Sequence, residues 1–226
     1  MMSELTKQAV GAVLRFIVGL AALIFLSAWS LRYWQAWLFL TVFSASIVAI
    51  TIYLARNDPR LLKSRMEAGP AAEKQGSQRL IQLFATLAFI AVFVVSVLDH
   101  RLAWSHVTLF GVCVGNALVV IGLFVVFLVF RENSFASGVI EIGSEQTTIS
   151  TGPYSLVRHP MYFGSLIMLA GIPPALGSLW GFLILVPFTL LLVWRLIDEE
   201  QFLVRNLTGY PEYQHQVPHR LLPFVW

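Results

Sequence analysis

Four long apolar runs constrain this chain more strongly than any other feature of its sequence. They cover residues 13–31, 37–54, 80–98 and 107–130. A helix needs about 20 apolar residues to cross a hydrocarbon core of about 30 Å, and each run is close to that length. Because lipid offers no hydrogen-bond partner to free backbone groups, such spans have to be helical. The runs therefore predict an all-α, polytopic membrane protein.

The composition supports the same prediction. Charged residues make up 12% of the chain and hydrophobic residues 58%. A soluble domain carries about 25% charged residues, because its surface faces water. Most of the surface of this protein must therefore face lipid.

A fifth apolar region, residues 162–196, is too long for a single span. Pro173-Pro174 and Gly177-Ser178 interrupt it, and such pairs favour the end of a helix followed by a turn. We expect one helix to end near residue 176 and the next to cover residues 179–195. Packed together they form an antiparallel hairpin, which brings the total to about six transmembrane helices.

The positive charges predict the orientation of these helices. An even number of spans puts both termini on one face, together with the loop at residues 55–79 and the segment at residues 131–159. Of the 15 Lys and Arg residues, all except Arg32 and Arg101 fall on that face. Cytoplasmic loops carry an excess of Lys and Arg, so we expect this face to be cytoplasmic. We interpret residues 55–79 as a surface loop with a short helix, whose basic residues meet anionic lipid headgroups.

The polar chemistry is concentrated in the second part of the chain. Residues 1–130 form a four-helix membrane scaffold with almost no ionisable groups inside its spans, whereas residues 131–226 contain the hairpin and a polar tail. Arg195 and Glu199 are four residues apart, so they share one helix face and can pair. Ionisable groups at a membrane boundary are costly and indicate function. Closing the hairpin is expected to bring five of them together: His159, Tyr162, Arg195, Glu199 and Glu200.

The start of the hairpin has features that suit a ligand. Gly152-Pro153-Tyr154 predicts a turn, and Pro160 suits the first turn of a helix, where its missing N–H costs nothing. The free backbone N–H groups of such a helix start suit an anionic group such as a carboxylate. Tyr154 and Tyr162 offer flat faces for a purine or a cation, and Gly164 allows a close approach by backbone or ligand.

Three ordered blocks in this region resemble the isoprenylcysteine carboxyl methyltransferase family, which is grouped with the membrane phospholipid N-methyltransferases. The blocks are Gly-Pro-Tyr-x-x-Val-Arg-His-Pro-Met-Tyr-x-Gly from Gly152, Arg-x-x-x-Glu-Glu from Arg195 and Gly-Tyr-x-x-Tyr from Gly209. The resemblance covers roughly residues 133–226. It implies a helical membrane enzyme that uses S-adenosylmethionine without a Rossmann domain, and no Gly-rich strand–helix fingerprint is found in the sequence.

The resemblance also implies a set of site residues. Arg195 would hold the methyl acceptor, and Glu199 or Glu200 would complete the cofactor pocket, so these three are the candidate catalytic residues. One departure concerns Gln146, which stands where the family pattern has a histidine. The cofactor would contact Gln146, Thr147, Thr148, Ile149, Tyr154, His159, Pro160, Met161, Tyr162 and Glu199.

The predicted reaction is methyl transfer to a lipophilic acceptor. A carboxylate, as in an isoprenylcysteine-like substrate, is ionised at neutral pH and needs no general base, and an arginine can orient it through two parallel hydrogen bonds. A phosphoethanolamine headgroup is an alternative acceptor, for which His159 or a glutamate would serve as base. Membrane sterol and steroid reductases, which use NADPH, carry a similar Arg-His-Pro-x-Tyr stretch, but we expect an acidic residue in them where this chain has Ser165.

Other function classes are disfavoured by the sequence. The non-enzymatic alternative is a transporter or a lipid-binding scaffold. Transporters often show internal repeats and ionisable groups near the middle of the membrane, and this sequence shows neither. The chain has no basic run, so no nucleic-acid partner is expected. Its single cysteine, Cys113, excludes an internal disulfide and a thiolate metal cage. His215 and His219 lack a third ligand at a useful spacing, so no metal is expected.

Overall fold

The computed structural model describes residues 4–69, 71–73, 76–139 and 146–226. Within these residues the chain is all-helical, which confirms the predicted fold class. Pro70 and Lys74, which belong to the predicted surface loop at residues 55–79, lie outside the described residues. The helices are α1 (Glu4–Ala28), α2 (Trp34–Asn57), α3 (Pro59–Met66), α4 (Gly76–Leu102), α5 (Leu109–Glu132), α6 (Pro160–Ala175), α7 (Phe182–Asn206) and α8 (Tyr210–Gln216), with a short 3-10 helix at Gly152–Ser155.

Four of these helices are long and apolar enough to cross a bilayer. They are α1, α2, α4 and α5, and they contain the four apolar runs. Large apolar side chains remain exposed on them, among them Leu26 and Phe110. Such exposure is expected of helices whose solvent is lipid. The protein is therefore an integral membrane protein with at least these four candidate spans among its described residues.

The predicted hairpin is present as α6 and α7. Pro173 and Pro174 lie in the last turn of helix α6, and their carbonyls accept hydrogen bonds from Leu176, Gly177 and Ser178. Gly177 adopts φ +75°, which permits the tight reversal. Helix α6 has 16 residues, fewer than a bilayer crossing normally needs. A six-span count therefore remains a prediction.

A glycine seam joins α5 and α6. A Cβ atom added to Gly164 would lie 2.8 Å from the carbonyl oxygen of Gly122, and one added to Gly171 would lie 2.5 Å from that of Gly115. Glycines at these four positions let two helix backbones approach closely in a membrane. The pairing is antiparallel, so it fixes the start of α6 beside the end of α5. The expected close approach at Gly164 is thus to backbone.

The turn between α6 and α7 is anchored by a buried carboxylate on α4, for which the sequence analysis proposed no role. Asp99 is fully buried and accepts hydrogen bonds from the backbone N–H and hydroxyl of Ser105, at 2.7 and 2.6 Å. It also accepts from the Ser178 hydroxyl at 2.6 Å and from the backbone N–H groups of Leu179 and Trp180 at 3.1 and 3.2 Å. These bonds hold the tip of the hairpin at the end opposite its polar cluster.

The C-terminal tail is paired with the segment that leads into α6. The backbone N–H of Arg158 donates to the carbonyl of His219, and that of His159 donates to the carbonyl of Arg220, both at 2.9 Å. The Tyr213 hydroxyl donates to the carbonyl of Tyr154 at 2.7 Å. These hydrogen bonds therefore hold the C-terminal tail against the segment that precedes α6.

Candidate active site

A cavity of about 520 Å³ lies where α6 begins and the polar end of α7 runs past it. Its size is typical of a small-molecule site. Every residue that the family resemblance assigned to the cofactor lines this cavity, and so does Arg195. Those cofactor residues are Gln146, Thr147, Thr148, Ile149, Tyr154, His159, Pro160, Met161, Tyr162 and Glu199.

Tyr162 connects the two helices of the hairpin inside the cavity. Its hydroxyl donates to Glu199 Oε2 at 2.5 Å and accepts from Arg195 Nε at 3.1 Å. The expected convergence of the α6 start and the α7 end is therefore found. The predicted pairing of Arg195 with Glu199 takes an indirect form, because the Tyr162 hydroxyl lies between them.

Glu200, the neighbour of Glu199, has different surroundings. It is 4% exposed, and its carboxylate accepts from Arg158 Nε at 2.6 Å and from Arg220 Nε at 2.8 Å. His159 Nε2 lies 3.3 Å from the same carboxylate. Glu200 is not among the described residues that line the cavity. Its contacts tie α7 to the segment before α6 and to the tail.

Arg195 has further partners that the sequence analysis missed. Its Nη1 donates to Gln78 Oε1 at 3.1 Å, and its Nη2 donates to Glu73 Oε1 at 2.8 Å and to the Gly138 carbonyl at 3.2 Å. Glu73 is 8% exposed and Gln78 is fully buried. Both come from the stretch that was expected to be a surface loop.

The surface-loop interpretation of residues 55–79 is therefore only partly correct. The predicted short helix is present as α3, and Asp58 caps it by accepting from the backbone N–H of Leu61 at 3.0 Å. Arg65 from this helix lines the cavity, donating to the Ser137 carbonyl at 3.1 Å and approaching Met161 Sδ at 3.8 Å. The local sequence carries no signal for which face of this helix is buried.

Two further tyrosines, Tyr154 and Tyr210, line the cavity. Burial raises the pKa of Tyr154 to about 12, so its hydroxyl stays protonated while it accepts from Asn133 Nδ2 at 2.9 Å. Tyr210 is 4% exposed and lines the cavity, and its hydroxyl has no hydrogen-bond partner within the described structure. A buried unpaired hydroxyl is costly.

The cavity also has an apolar wall. It is formed by side chains of α4 and α7 that continue away from the polar groups toward the middle of the bundle. These side chains are Ile81, Ala85, Phe89, Phe188, Leu191 and Leu192. Such a wall suits a ligand with one polar end and one lipophilic end.

Within the residues that the structure describes, no group of three or more His, Cys, Asp and Glu side chains could hold a metal ion.

Comparison with known proteins relates this region to membrane enzymes. Residues 110–208, which include nearly all of α5 and the whole of α6 and α7, match the phospholipid methyltransferase family. The chain is 38% identical to Delta(14)-sterol reductase TM7SF2 of Mus musculus over 105 residues, which are 43% of this chain and 25% of the reductase. The chain thus matches about a quarter of the length of that relative.

A second relative is covered more fully at lower identity. The cobalt-zinc-cadmium resistance protein CzcN of Cupriavidus metallidurans is 27% identical over 146 residues, which are 63% of this chain and 68% of that protein. No solved structure matches the chain significantly. Taken together, the similarities support a membrane enzyme of the methyltransferase or reductase type, and they leave the isoprenylcysteine family itself unconfirmed.

Proposed function

We propose that this protein is an integral-membrane methyltransferase that uses S-adenosylmethionine and acts on the carboxylate of a lipophilic, isoprenylcysteine-like acceptor. The observation that carries the proposal is the Tyr162 hydroxyl, which joins Arg195 to Glu199 inside the cavity. The match of residues 110–208 to the phospholipid methyltransferase family supports the reaction class.

The described residues fit the cofactor. Glu199 offers a carboxylate for its amino or ribose groups, and the start of α6 at Pro160 offers backbone N–H groups. When bound there, S-adenosylmethionine supplies a methyl group on a positively charged sulfur, which keeps the bonding electron pair when the methyl leaves. Glu199 is favoured over Glu200, because the carboxylate of Glu200 is taken up by Arg158 and Arg220.

Arg195 is the proposed residue for the acceptor. A carboxylate is already ionised at neutral pH, so no side chain has to remove a proton. The work of the protein is to orient the carboxylate and to keep water away from it. Arg195 provides the orientation, and the apolar wall formed by α4 and α7 excludes water and suits the lipophilic part of the acceptor.

We further propose that the site opens to the cytoplasm for the soluble cofactor and sideways to lipid for the acceptor. The distribution of Lys and Arg supports this orientation. The charged end of α7 and the tail then lie at the cytoplasmic boundary, and the apolar wall faces the membrane. Access from two phases is a physical reason to build such an enzyme within the bilayer.

Two other candidates each have one observation in their favour. The family match favours a phospholipid amine as the acceptor, with His159 in the cavity wall as its base. The similarity to a sterol reductase favours NADPH as the ligand. In this chain Ser165 occupies the position where we expect an acidic residue in reductases, and its hydroxyl donates to the Met161 carbonyl at 2.8 Å.

Ligand-dependent thermal stability of the purified protein separates these candidates. We expect S-adenosylhomocysteine to raise the melting temperature and NADPH to leave it unchanged. Glu199→Gln should remove the shift, whereas Glu212→Gln, an exposed site on α8 with the same charge change, should keep it. Radiolabelled methyl transfer to N-acetyl-S-farnesylcysteine but not to phosphatidylethanolamine would support the carboxylate acceptor. A shift with NADPH alone would overturn the methyltransferase proposal.

A further inference from the structure

All three nitrogens of the Arg195 guanidinium already donate to partners within the protein. Its Nε donates to Tyr162, its Nη1 to Gln78, and its Nη2 to both Glu73 and the Gly138 carbonyl. An arginine binds a carboxylate best through two nitrogens at once. An acceptor carboxylate that binds in this way therefore has to replace at least one resident partner.

Glu73 is the resident partner whose chemistry matches an incoming carboxylate. It forms an ion pair with Arg195 at 2.8 Å, and the two side chains are only 2% and 12% exposed. Leaving a buried guanidinium without a negative partner is strongly unfavourable. Exchanging one carboxylate for another keeps a single negative charge on the guanidinium, whereas displacing Gln78 or Gly138 would place a second carboxylate beside Glu73.

Glu73 also accepts a hydrogen bond from a second residue, independently of Arg195. Gln82 Nε2 on α4 donates to Glu73 Oε1 at 2.6 Å and to the Gly138 carbonyl at 2.9 Å. Gln82 itself lines the cavity, whereas Glu73 is not among the described lining residues and lies behind Arg195. The Glu73 carboxylate therefore keeps a hydrogen-bond donor when Arg195 turns to a ligand.

We propose that Glu73 is the resident competitor of the acceptor carboxylate, holding Arg195 between turnovers and exchanging it for the acceptor. This inference rests on the proposed function. Methyl transfer forms an O–CH3 bond on the acceptor as the S–CH3 bond of the donor breaks, and no proton moves. The product is a neutral ester, which cannot form an ion pair with Arg195. Glu73 then retakes the guanidinium. The competition therefore lowers the affinity for the carboxylate acceptor and leaves the affinity for the neutral ester almost unchanged.

The test measures binding of N-acetyl-S-farnesylcysteine and of its methyl ester to full-length protein saturated with S-adenosylhomocysteine, by calorimetry in detergent. In Glu73→Gln the competing charge is gone, so we expect the carboxylate to bind about 10-fold more tightly and the ester to change less than about 2-fold. Glu67→Gln makes the same charge change on an exposed side chain near the end of α3, and both affinities should stay at the wild-type values.

Glu73→Asp is a second variant that keeps the negative charge on a shorter side chain. It tests the same exchange if Glu73→Gln does not fold. Its weaker hold on Arg195 should strengthen carboxylate binding by about 3-fold. Unchanged or weaker carboxylate binding in both Glu73 variants overturns the exchange. If the wild-type protein fails to bind S-adenosylhomocysteine at all, the proposed function is the claim that fails. If the cofactor binds but the affinity for the carboxylate does not rise relative to that for the ester, only the proposed role of Glu73 is overturned.

Discussion

The hydroxyl of Tyr162 on α6 donates to the carboxylate of Glu199 on α7 at 2.5 Å. This bond joins the start of one hairpin helix to the end of the other, at the place where Arg195 enters the cavity. It couples the proposed ligand-binding groups of the two helices, so a substitution in one helix should alter ligand binding by the other.

Removing that hydroxyl should weaken the cofactor site. In Tyr162→Phe, Glu199 and Arg195 lose their shared partner while the packed ring remains. Hydrogen bonds to charged groups contribute about 1.5–3 kcal/mol, so we expect the affinity for S-adenosylhomocysteine to fall by about 10-fold or more. Titration calorimetry measures this change. Tyr53→Phe, whose ring packs against Phe127 on another pair of helices, is the control and should bind as the wild type does.

Glu199 and Glu200 should show opposite effects when each is changed to glutamine. Glu200 is buried against Arg158 and Arg220, and removing one member of a buried charge network costs about 3–5 kcal/mol. Glu200→Gln should therefore lower thermal stability and expose the C-terminal tail to protease. Glu199→Gln should keep the stability and lose cofactor affinity. Equal losses of both properties in the two variants would contradict this division of roles.

The glycine seam should tolerate no side chain. In Gly164→Ala the new Cβ would lie 2.8 Å from the Gly122 carbonyl oxygen, so α5 and α6 must move apart. Overpacking of this kind costs about 1–3 kcal/mol. Gly19→Ala in α1, where an added Cβ meets no atom within 4 Å, is the matched control and should be neutral or stabilising. Thermal unfolding in detergent compares the two, and equal stability of both variants would contradict the seam.

Asp99 should stabilise the hairpin without contributing to the chemistry. Asp99→Asn removes the charge that five donors from Ser105, Ser178, Leu179 and Trp180 share, and leaves some of them unpaired. We expect a loss of about 2–4 kcal/mol of stability. Cofactor affinity, measured at a temperature where the variant is folded, should equal the wild-type value. Glu4→Gln, an exposed carboxylate at the start of α1, should leave both properties unchanged.

Local patterns were sufficient for much of the fold. The apolar runs predicted α1, α2, α4 and α5, and the Pro-Pro and Gly-Ser pairs predicted the reversal between α6 and α7. Closure of this hairpin predicted that His159 and Tyr162 meet Arg195 and Glu199. These predictions succeeded because hydropathy, helical period and turn chemistry act over only a few residues.

Contacts between distant segments could not be predicted in the same way. Glu73 meets Arg195, and Asp99 meets Ser178, only after helices that are far apart in sequence have packed. No periodic or compositional signal marks such a pair in advance. The same holds for Tyr210, because only the packing of the segments around it leaves its buried hydroxyl without a hydrogen-bond partner.

The sequence by itself determined that this is a helical membrane protein with its polar groups gathered at one end of a C-terminal hairpin. Only the tertiary structure decided that Glu199 faces the cavity while Glu200 holds the tail, and that Glu73 occupies Arg195. The physical reason is that neighbours on a helix point about 100° apart, so one residue decides between two environments. Which environment each residue meets depends on the packing of other helices, and a single sequence does not display that packing.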